Sequence, residues 1–89
     1  MYIMTDAKHS AFYTGFSNDL KKRVWQHKGK FVEGFTKRYH VDMLVYYEVS
    51  NSVESALARG KQIKAGSRQN KIDLINSINS ELYDLYEEF

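Results

Sequence analysis

The order of the predicted secondary-structure elements indicates an α+β fold, a small three-stranded antiparallel sheet flanked by helices. Two short segments rich in β-favouring residues open the chain and are separated by a polar turn, which is the pattern of a hairpin. A third apolar segment, of strand length, lies in the middle of the chain. Three stretches with apolar residues at helical spacing complete the order β-β-α-β-α-α, for which this packing is the natural one.

Length and composition restrict the classes of protein that need to be considered. At 89 residues, the chain is expected to form one domain spanning residues 1–89. It contains no Cys, which excludes disulfides and thiolate zinc sites. No long apolar run is present, so neither a signal peptide nor a membrane span is predicted. We therefore expect a cytoplasmic protein without a membrane partner.

The first half of the chain predicts a hairpin followed by a helix. Residues 2–5 and 11–15 read as strands, with a polar turn at residues 6–10. Ser17 or Asn18 offers an N-cap, and the helix is expected to continue to about Lys28, before Gly29. Trp25 is expected to pack in the core. The helix face predicted to turn inward carries Leu20, Arg23, Val24 and His27. A basic loop with aromatic residues is predicted from there to His40.

The second half predicts one strand and two helices. Residues 43–49 are apolar on both faces, which is typical of a central or well-covered strand. Asn51 or Ser52 is expected to cap the second helix, and Gly66 to end it in a left-handed conformation. Ser67 is expected to cap the third helix, and a last helical turn or two to follow from Ser80.

Charge is distributed unevenly along the sequence. Seven Lys or Arg and one acid lie between Lys21 and His40, and five more basic residues without an acid lie between Arg59 and Lys71. The tail after Lys71 carries acids and no Lys or Arg. Two basic blocks with aromatic residues between them suit a polyanionic partner. Ordinary solvated faces would explain the same pattern, so charge alone leaves both interpretations open.

Several motifs together resemble one known family, the GIY-YIG endonuclease superfamily. Tyr2-Ile3-Met4 is similar to its first motif, and Tyr13-Thr14-Gly15 to its second, with Thr in place of Ile. Residues 17–20, followed by Arg23 and His27, resemble the arginine helix of the family. Three further segments resemble its small stand-alone bacterial branch, whose members are often described as related to the nuclease subunit of excision repair, and they are residues 31–36, 44–48 and 61–68. The resemblance covers essentially the whole chain.

This resemblance implies a metal-dependent DNA endonuclease and assigns roles to four residues. Tyr13 is the implied base that positions or deprotonates the attacking water, with Tyr2 as its partner. Arg23 is implied to contact the phosphate. His27, one turn later, would orient Tyr13 or shuttle a proton, since histidine titrates near neutral pH. Gly15 and Asn79 match further family positions, although Asn79 would otherwise be read as a helix cap.

DNA is the partner that the resemblance implies, and basic side chains are its expected contacts. The expected nucleic-acid-binding residues are Lys28, Lys30, Lys37, Arg38, Lys61 and Arg68. The alternative is that these side chains only keep the surface solvated. A non-catalytic nucleic-acid-binding module and a protein-interaction domain built on the acidic, aromatic C-terminus remain competing functions. That terminus, with Leu82, Leu85, Tyr86 and Phe89 at helical spacing, is read as core or as a homodimer face.

One expected metal ligand is missing from the sequence. The second helix of this branch usually reads Arg-Glu-Lys-Gln, and its glutamate holds Mg²⁺ or Mn²⁺, whereas this chain has Gly60 at that position. A glycine inside a helix costs about 1 kcal/mol relative to alanine, so it is a poor structural choice. Position 60 is predicted to face inward with the apolar stripe. We therefore expect weak or no metal binding and impaired catalysis.

Overall fold

The computed structural model describes residues 1–30 and 34–88, and it confirms the predicted α+β class and element order. The elements are β1 (Tyr2–Thr5), β2 (Phe12–Gly15), α1 (Leu20–Lys28), α2 (Phe35–Arg38), β3 (Met43–Tyr47), α3 (Val53–Ala65), α4 (Arg68–Ile78) and a closing 3₁₀ turn (Leu85–Glu88). In the described part of the chain, no helix is long and apolar enough to cross a membrane. Phe31, Val32, Glu33 and Phe89, which carry part of the resemblance and of the C-terminal pattern, lie outside the described residues.

The sheet has the strand order β2-β1-β3, and β1 is antiparallel to both neighbours. The central strand is therefore the first one in the sequence, and all four of its residues are buried. β3 is an edge strand, but it is covered on both faces, because Leu44, Val45 and Tyr46 are buried. The apolar run that predicts a central or well-covered strand thus reflects cover rather than a central position.

Each face of the sheet carries its own core, as the two-residue periodicity of strands requires. On one face, Ile3 and Val45 pack with Ile63 of α3 and Ile75 of α4. On the other face, the core is formed by Tyr2, Met4, Val24, Val41, Leu44 and Leu85. Helix α1 and the closing 3₁₀ turn therefore cover the face from which Tyr2 projects.

Side-chain caps begin the three long helices. Ser52 and Ser67 cap α3 and α4 as predicted, accepting hydrogen bonds from the backbone N–H groups of Ser55 and Asn70. The expected cap of α1 was wrong: Asp19 accepts from the Lys22 N–H, while Ser17 and Asn18 precede it. A carboxylate at that end also suits the positive pole of the helix.

Three further expectations were wrong. Gly66 does follow the last residue of α3, but its φ of −76° and ψ of 169° are extended rather than left-handed. The basic loop contains the short helix α2, which buries only Thr36. Trp25 is 54% exposed on α1, rather than packed in the core.

The C-terminal segment is attached to the sheet by two polar side chains. Asn79 ends α4, and its side-chain amide donates to the carbonyls of Val45 (3.1 Å) and Tyr83 (2.8 Å). The Asp84 carboxylate accepts from the Leu44 N–H at 3.1 Å and pairs with Lys28. Leu82 and Leu85 of this segment pack against the two cores of the chain itself. The core interpretation of the segment is thus confirmed for these leucines, and nothing supports a homodimer face.

Candidate active site

Tyr2 and His27 meet at the centre of the molecule. Tyr2 lies on the central strand β1 and His27 on the inward face of α1, and each side chain is 2% exposed. The Tyr2 hydroxyl oxygen is 3.1 Å from His27 Nε2, within hydrogen-bonding distance. The structure therefore brings together two of the residues that the sequence nominated, but it buries both.

The second ring nitrogen of His27 is also occupied. Nδ1 lies 2.9 Å from the Thr36 hydroxyl oxygen, and Thr36 is the one buried residue of α2. Either neutral tautomer of the imidazole satisfies both contacts, since each hydroxyl both donates and accepts. Sequence reasoning missed Thr36, and its only signal was its place at the end of the matched segment 31–36. His27 is thus held by two hydroxyls and has no nitrogen left for a substrate.

Tyr13 completes an aromatic cluster and reaches the surface. Its ring centroid lies 6.2 Å from that of Tyr2 and 5.5 Å from that of His27. It is only partly buried, so it is the one ring of the three with appreciable exposed surface. On its outer side, Phe35 of α2 lies nearly parallel to it, at 6.4 Å and 23°.

Gly15 makes room for both tyrosines. A Cβ atom at this position would lie 2.5 Å from the Tyr2 hydroxyl oxygen and 2.9 Å from a ring carbon of Tyr13. Contacts this short do not occur between real atoms, and the backbone of Gly15 is not left-handed. Space, rather than conformational freedom, therefore explains the glycine at this position.

Burial sets the protonation states of the central pair. Burial raises the pKa of Tyr2 well above its usual range, and Tyr13 adds to the shift, while the positive charge of Arg23 opposes it. Burial also lowers the pKa of His27, and Arg23 acts in the same direction. At neutral pH, Tyr2 is therefore a phenol and His27 a neutral imidazole.

Arg23 lies on α1, one turn before His27, and it is partly buried. It is near enough to influence the charge states of both Tyr2 and His27. The side chain lines an open hollow of about 310 Å³ together with Ser17, Asn18, Asp19, Lys22 and Gln26. Its position thus allows contact with an anion from solvent while its charge acts on the buried pair.

Position 60 faces inward, as predicted, but the described residues do not form a metal site there. Gly60 is buried on α3, and a Cβ atom on it would meet only Met1 Cγ, at 3.9 Å. Across residues 1–30 and 34–88, no group of three or more His, Cys, Asp or Glu could hold a metal ion. The carboxylate of Glu48 is already bound by Arg59 (3.1 Å) and by the Tyr46 hydroxyl (2.6 Å). The described residues around position 60 therefore do not fit a divalent metal.

Several of the basic residues expected to contact DNA are held by polar partners within the fold. Lys28 pairs with Asp84 and donates to the Asp42 carbonyl at 3.0 Å. Arg68 donates to the carbonyls of Ser10 (2.8 Å) and His9 (3.2 Å), which fixes the β1–β2 turn. The Lys30 ammonium lies 3.7 Å from an Asp42 carboxylate oxygen. Lys28 and Arg68 thus have structural roles that the charge pattern could not reveal.

The other three expected contacts, Lys37, Arg38 and Lys61, are exposed. The Arg38 guanidinium lies over the Tyr39 ring, 5.6 Å from its centroid. Sequence reasoning did not single out Lys64, whose ammonium lies 6.0 Å from the Tyr13 ring centroid. Lys64 is therefore positioned to contact a phosphate that lies beside Tyr13.

Comparison with known proteins agrees with this geometry. Residues 1–73 match the family model described as the GIY-YIG catalytic domain. The chain is 36% identical over 76 residues to a UPF0213 protein of Staphylococcus saprophyticus, covering 85% of this chain and 92% of that one. It is 33% identical over 86 residues to a UPF0213 protein of Clostridium perfringens, covering 94% and 91% of the two chains. No solved structure matches.

Proposed function

Because the chain belongs to the GIY-YIG family of catalytic domains, we propose that it binds DNA at the Tyr13 face, with phosphodiester hydrolysis impaired by the glycine at position 60. The family makes this a domain of nuclease type. The observation that carries the proposal is the buried Tyr2–His27–Thr36 set directly beneath the surface ring of Tyr13. Burying three polar groups is costly unless they are hydrogen-bonded, so a purely structural core would gain more from apolar residues there.

Exposure divides the roles among the three rings. Tyr13 is the only one that a substrate phosphate or an attacking water can touch, so it is the catalytic candidate. Tyr2 and His27 are positioning residues, because both are buried and act through Tyr13. An unperturbed phenol is protonated at neutral pH, so a phenol that takes a proton from water needs nearby positive charge to stabilise its phenolate.

Arg23 and Lys64 supply positive charge on two sides of the aromatic cluster. Arg23 influences the buried pair from α1, and Lys64 lies against the Tyr13 ring from α3. A phosphodiester placed between them would have its charge partly neutralised, and Arg23 presents the forked donors that suit phosphate oxygens. This arrangement favours phosphate binding at the Tyr13 hydroxyl without any further group.

Hydrolysis is the step that position 60 limits. Nucleases of this family generally depend on a divalent metal, and Mg²⁺ requires hard oxygen ligands, usually one or two carboxylates. Gly60 provides no such ligand, and a Cβ atom in its place would meet only Met1 Cγ, at an ordinary contact distance. DNA binding at the Tyr13 face therefore depends on the side chains that are present, whereas hydrolysis lacks its metal ligand at position 60.

DNA binding in EDTA tests the proposal independently of cleavage. We expect the logarithm of the affinity to fall linearly with the logarithm of the salt concentration, since each neutralised phosphate releases counterions. Arg38→Glu should reduce the slope by about one. Arg38→Lys keeps the charge and should leave the slope unchanged. A chain that binds no DNA at low salt would rule out the proposed function.

A further inference from the structure

Two aromatic rings beside Tyr13 are exposed to solvent rather than buried in the core. Phe35 and Tyr39 of the α2 region are 44% and 47% exposed, and their centroids lie 4.8 Å apart. Phe35 also lies nearly parallel to Tyr13, so the three rings form a continuous aromatic strip running away from the candidate base. Exposed aromatic faces in a row beside an active-site residue are unusual on an ordinary solvated surface.

The strip borders a groove along the free edge of the sheet. One hollow of about 330 Å³ is lined by Phe12, Tyr13, Thr14, Phe35, Lys64 and Lys71. A second, of about 350 Å³, continues past Phe35 to Tyr39 and Arg68. β2 has β1 as its only strand neighbour in the described sheet, so its other edge is open to this groove.

The described charged side chains that line the groove are all positive. Lys64 lies over the Tyr13 ring, Arg38 over the Tyr39 ring, and Lys71 also lines the groove. The segment 59–71, which supplies Lys64 and Lys71, contains no acid. Among the residues that the structure describes, no Asp or Glu lines either hollow. Aromatic faces alternating with cations are the combination that binds single-stranded nucleic acid, through base stacking and backbone neutralisation.

We propose that this groove binds an unpaired nucleotide, with its base stacked on Phe35 and Tyr39 and its phosphate directed to Lys64 beside Tyr13. A base inside a blunt duplex is already stacked on both faces and cannot reach these rings. The inference rests on the proposed function and narrows its substrate class to strands with at least one unpaired base. Single-stranded DNA and RNA share this chemistry.

Fluorescence anisotropy in EDTA tests the groove directly. The labelled probes are an oligothymidylate of about 12 nucleotides, an oligouridylate of the same length and a blunt duplex. About 12 nucleotides is within the range of known single-strand binding sites. We expect an unpaired strand to bind more tightly than the duplex. The strand with the higher affinity, oligothymidylate or oligouridylate, shows whether the natural ligand is DNA or RNA. Phe35→Leu, which keeps an apolar side chain without a flat face, should weaken single-strand binding at least fivefold.

Tyr83→Leu is the matched control. Tyr83 is also an exposed aromatic residue (68%), but it is tied through Asn79 to β3, the opposite edge of the sheet. Its replacement should leave the affinity for either strand unchanged. If duplex binds as tightly as single strands and Phe35→Leu has no effect, the groove assignment is wrong while DNA binding stands. If no probe binds, the proposed function fails and this inference fails with it.

Discussion

Tyr2, His27 and Thr36 share two hydrogen bonds inside a core that is otherwise largely apolar. The resemblance predicted Tyr2 and His27, and helical periodicity placed His27 on the inward face of its helix. Thr36 could not be predicted, because it is nine residues from His27 in a segment without apolar periodicity. Local pattern specifies which face a side chain takes, but it does not specify partners brought in by a loop.

The buried imidazole makes stability depend on pH in a defined window. The pKa of His27 is lowered in the folded state, so the unfolded chain takes up the proton first as pH falls through about 6.5. The contribution of His27 to the free energy of unfolding should be constant above about pH 7.5 and decline towards pH 5, by at most about 1.4 kcal/mol per unit. Burial also lowers the pKa of the Met1 α-amino group, which adds a decline that begins at higher pH. Urea unfolding at a series of pH values measures this decline.

Two substitutions separate His27 from the rest of the molecule. His27→Gln should make the decline between about pH 7.5 and pH 5 shallower, whereas His40→Gln, at an exposed position, should leave its slope unchanged. The carboxylates act in a lower range: the pKa of Asp6 is lowered to about 2 by hydrogen bonds from Ser10, so its contribution is lost in acid. A decline that is as steep in His27→Gln as in the parent chain would contradict the assignment.

Gly15 provides a steric prediction at the same scale. Gly15→Ala places a Cβ atom against the Tyr2 hydroxyl and the Tyr13 ring, and neither ring can move without disturbing His27. We expect a loss of about 1–3 kcal/mol in the free energy of unfolding, measured by urea denaturation. Unchanged stability would show that the tyrosines are not packed as described.

The elements themselves were largely predictable from capping and periodicity. β1, α3 and α4 follow the sequence signals, and Ser52 and Ser67 are the expected caps. Helix α2 was missed because it has only four residues and buries one of them, so no periodic signal exists. The edge position of β3 was not readable either, because an apolar run reports cover on both faces rather than the number of neighbouring strands.

Helix α3 carries a glycine that the fold does not require. Gly60→Ala adds a Cβ atom that meets only Met1 Cγ at an ordinary 3.9 Å, and alanine is favoured in a helix interior. We expect the free energy of unfolding to rise by about 0.5–1 kcal/mol in urea denaturation. A rise would show that Gly60 has no packing role.

Gly66→Ala is the control for this substitution. A Cβ atom at Gly66 would lie 3.2 Å from the Asn70 side-chain nitrogen and 3.3 Å from the Ile63 carbonyl oxygen, and this position is outside the helix. We expect no gain in stability there. If Gly60→Ala were instead destabilising, position 60 would be more crowded than the structure shows, and a glutamate there would not fit.

After Lys71 the chain carries acids and no Lys or Arg, and this acidic tail folds back onto the basic helix α1. Asp84 pairs with Lys28, which removes one expected DNA contact and fixes the 3₁₀ turn on the core. Such long-range pairing is invisible to a count of charges along the sequence. The cations beside the aromatic rings come from three separate helices: Arg23 of α1 acts on Tyr2 and His27, Arg38 of α2 lies over Tyr39, and Lys64 of α3 lies over Tyr13. Only the fold brings these segments to one aromatic cluster.

Nicking of negatively supercoiled plasmid, in which local melting exposes unpaired bases, tests the central claim most directly when Mg²⁺ or Mn²⁺ is supplied. The proteins compared are this chain, Gly60→Ala, Gly60→Glu and Gly60→Glu combined with Tyr13→Phe. We predict that only Gly60→Glu nicks the plasmid, since it alone combines a carboxylate on the buried face of α3 with an intact Tyr13. Nicking by this chain or by Gly60→Ala at a rate similar to Gly60→Glu would contradict the account, because hydrolysis would then not depend on a ligand at position 60.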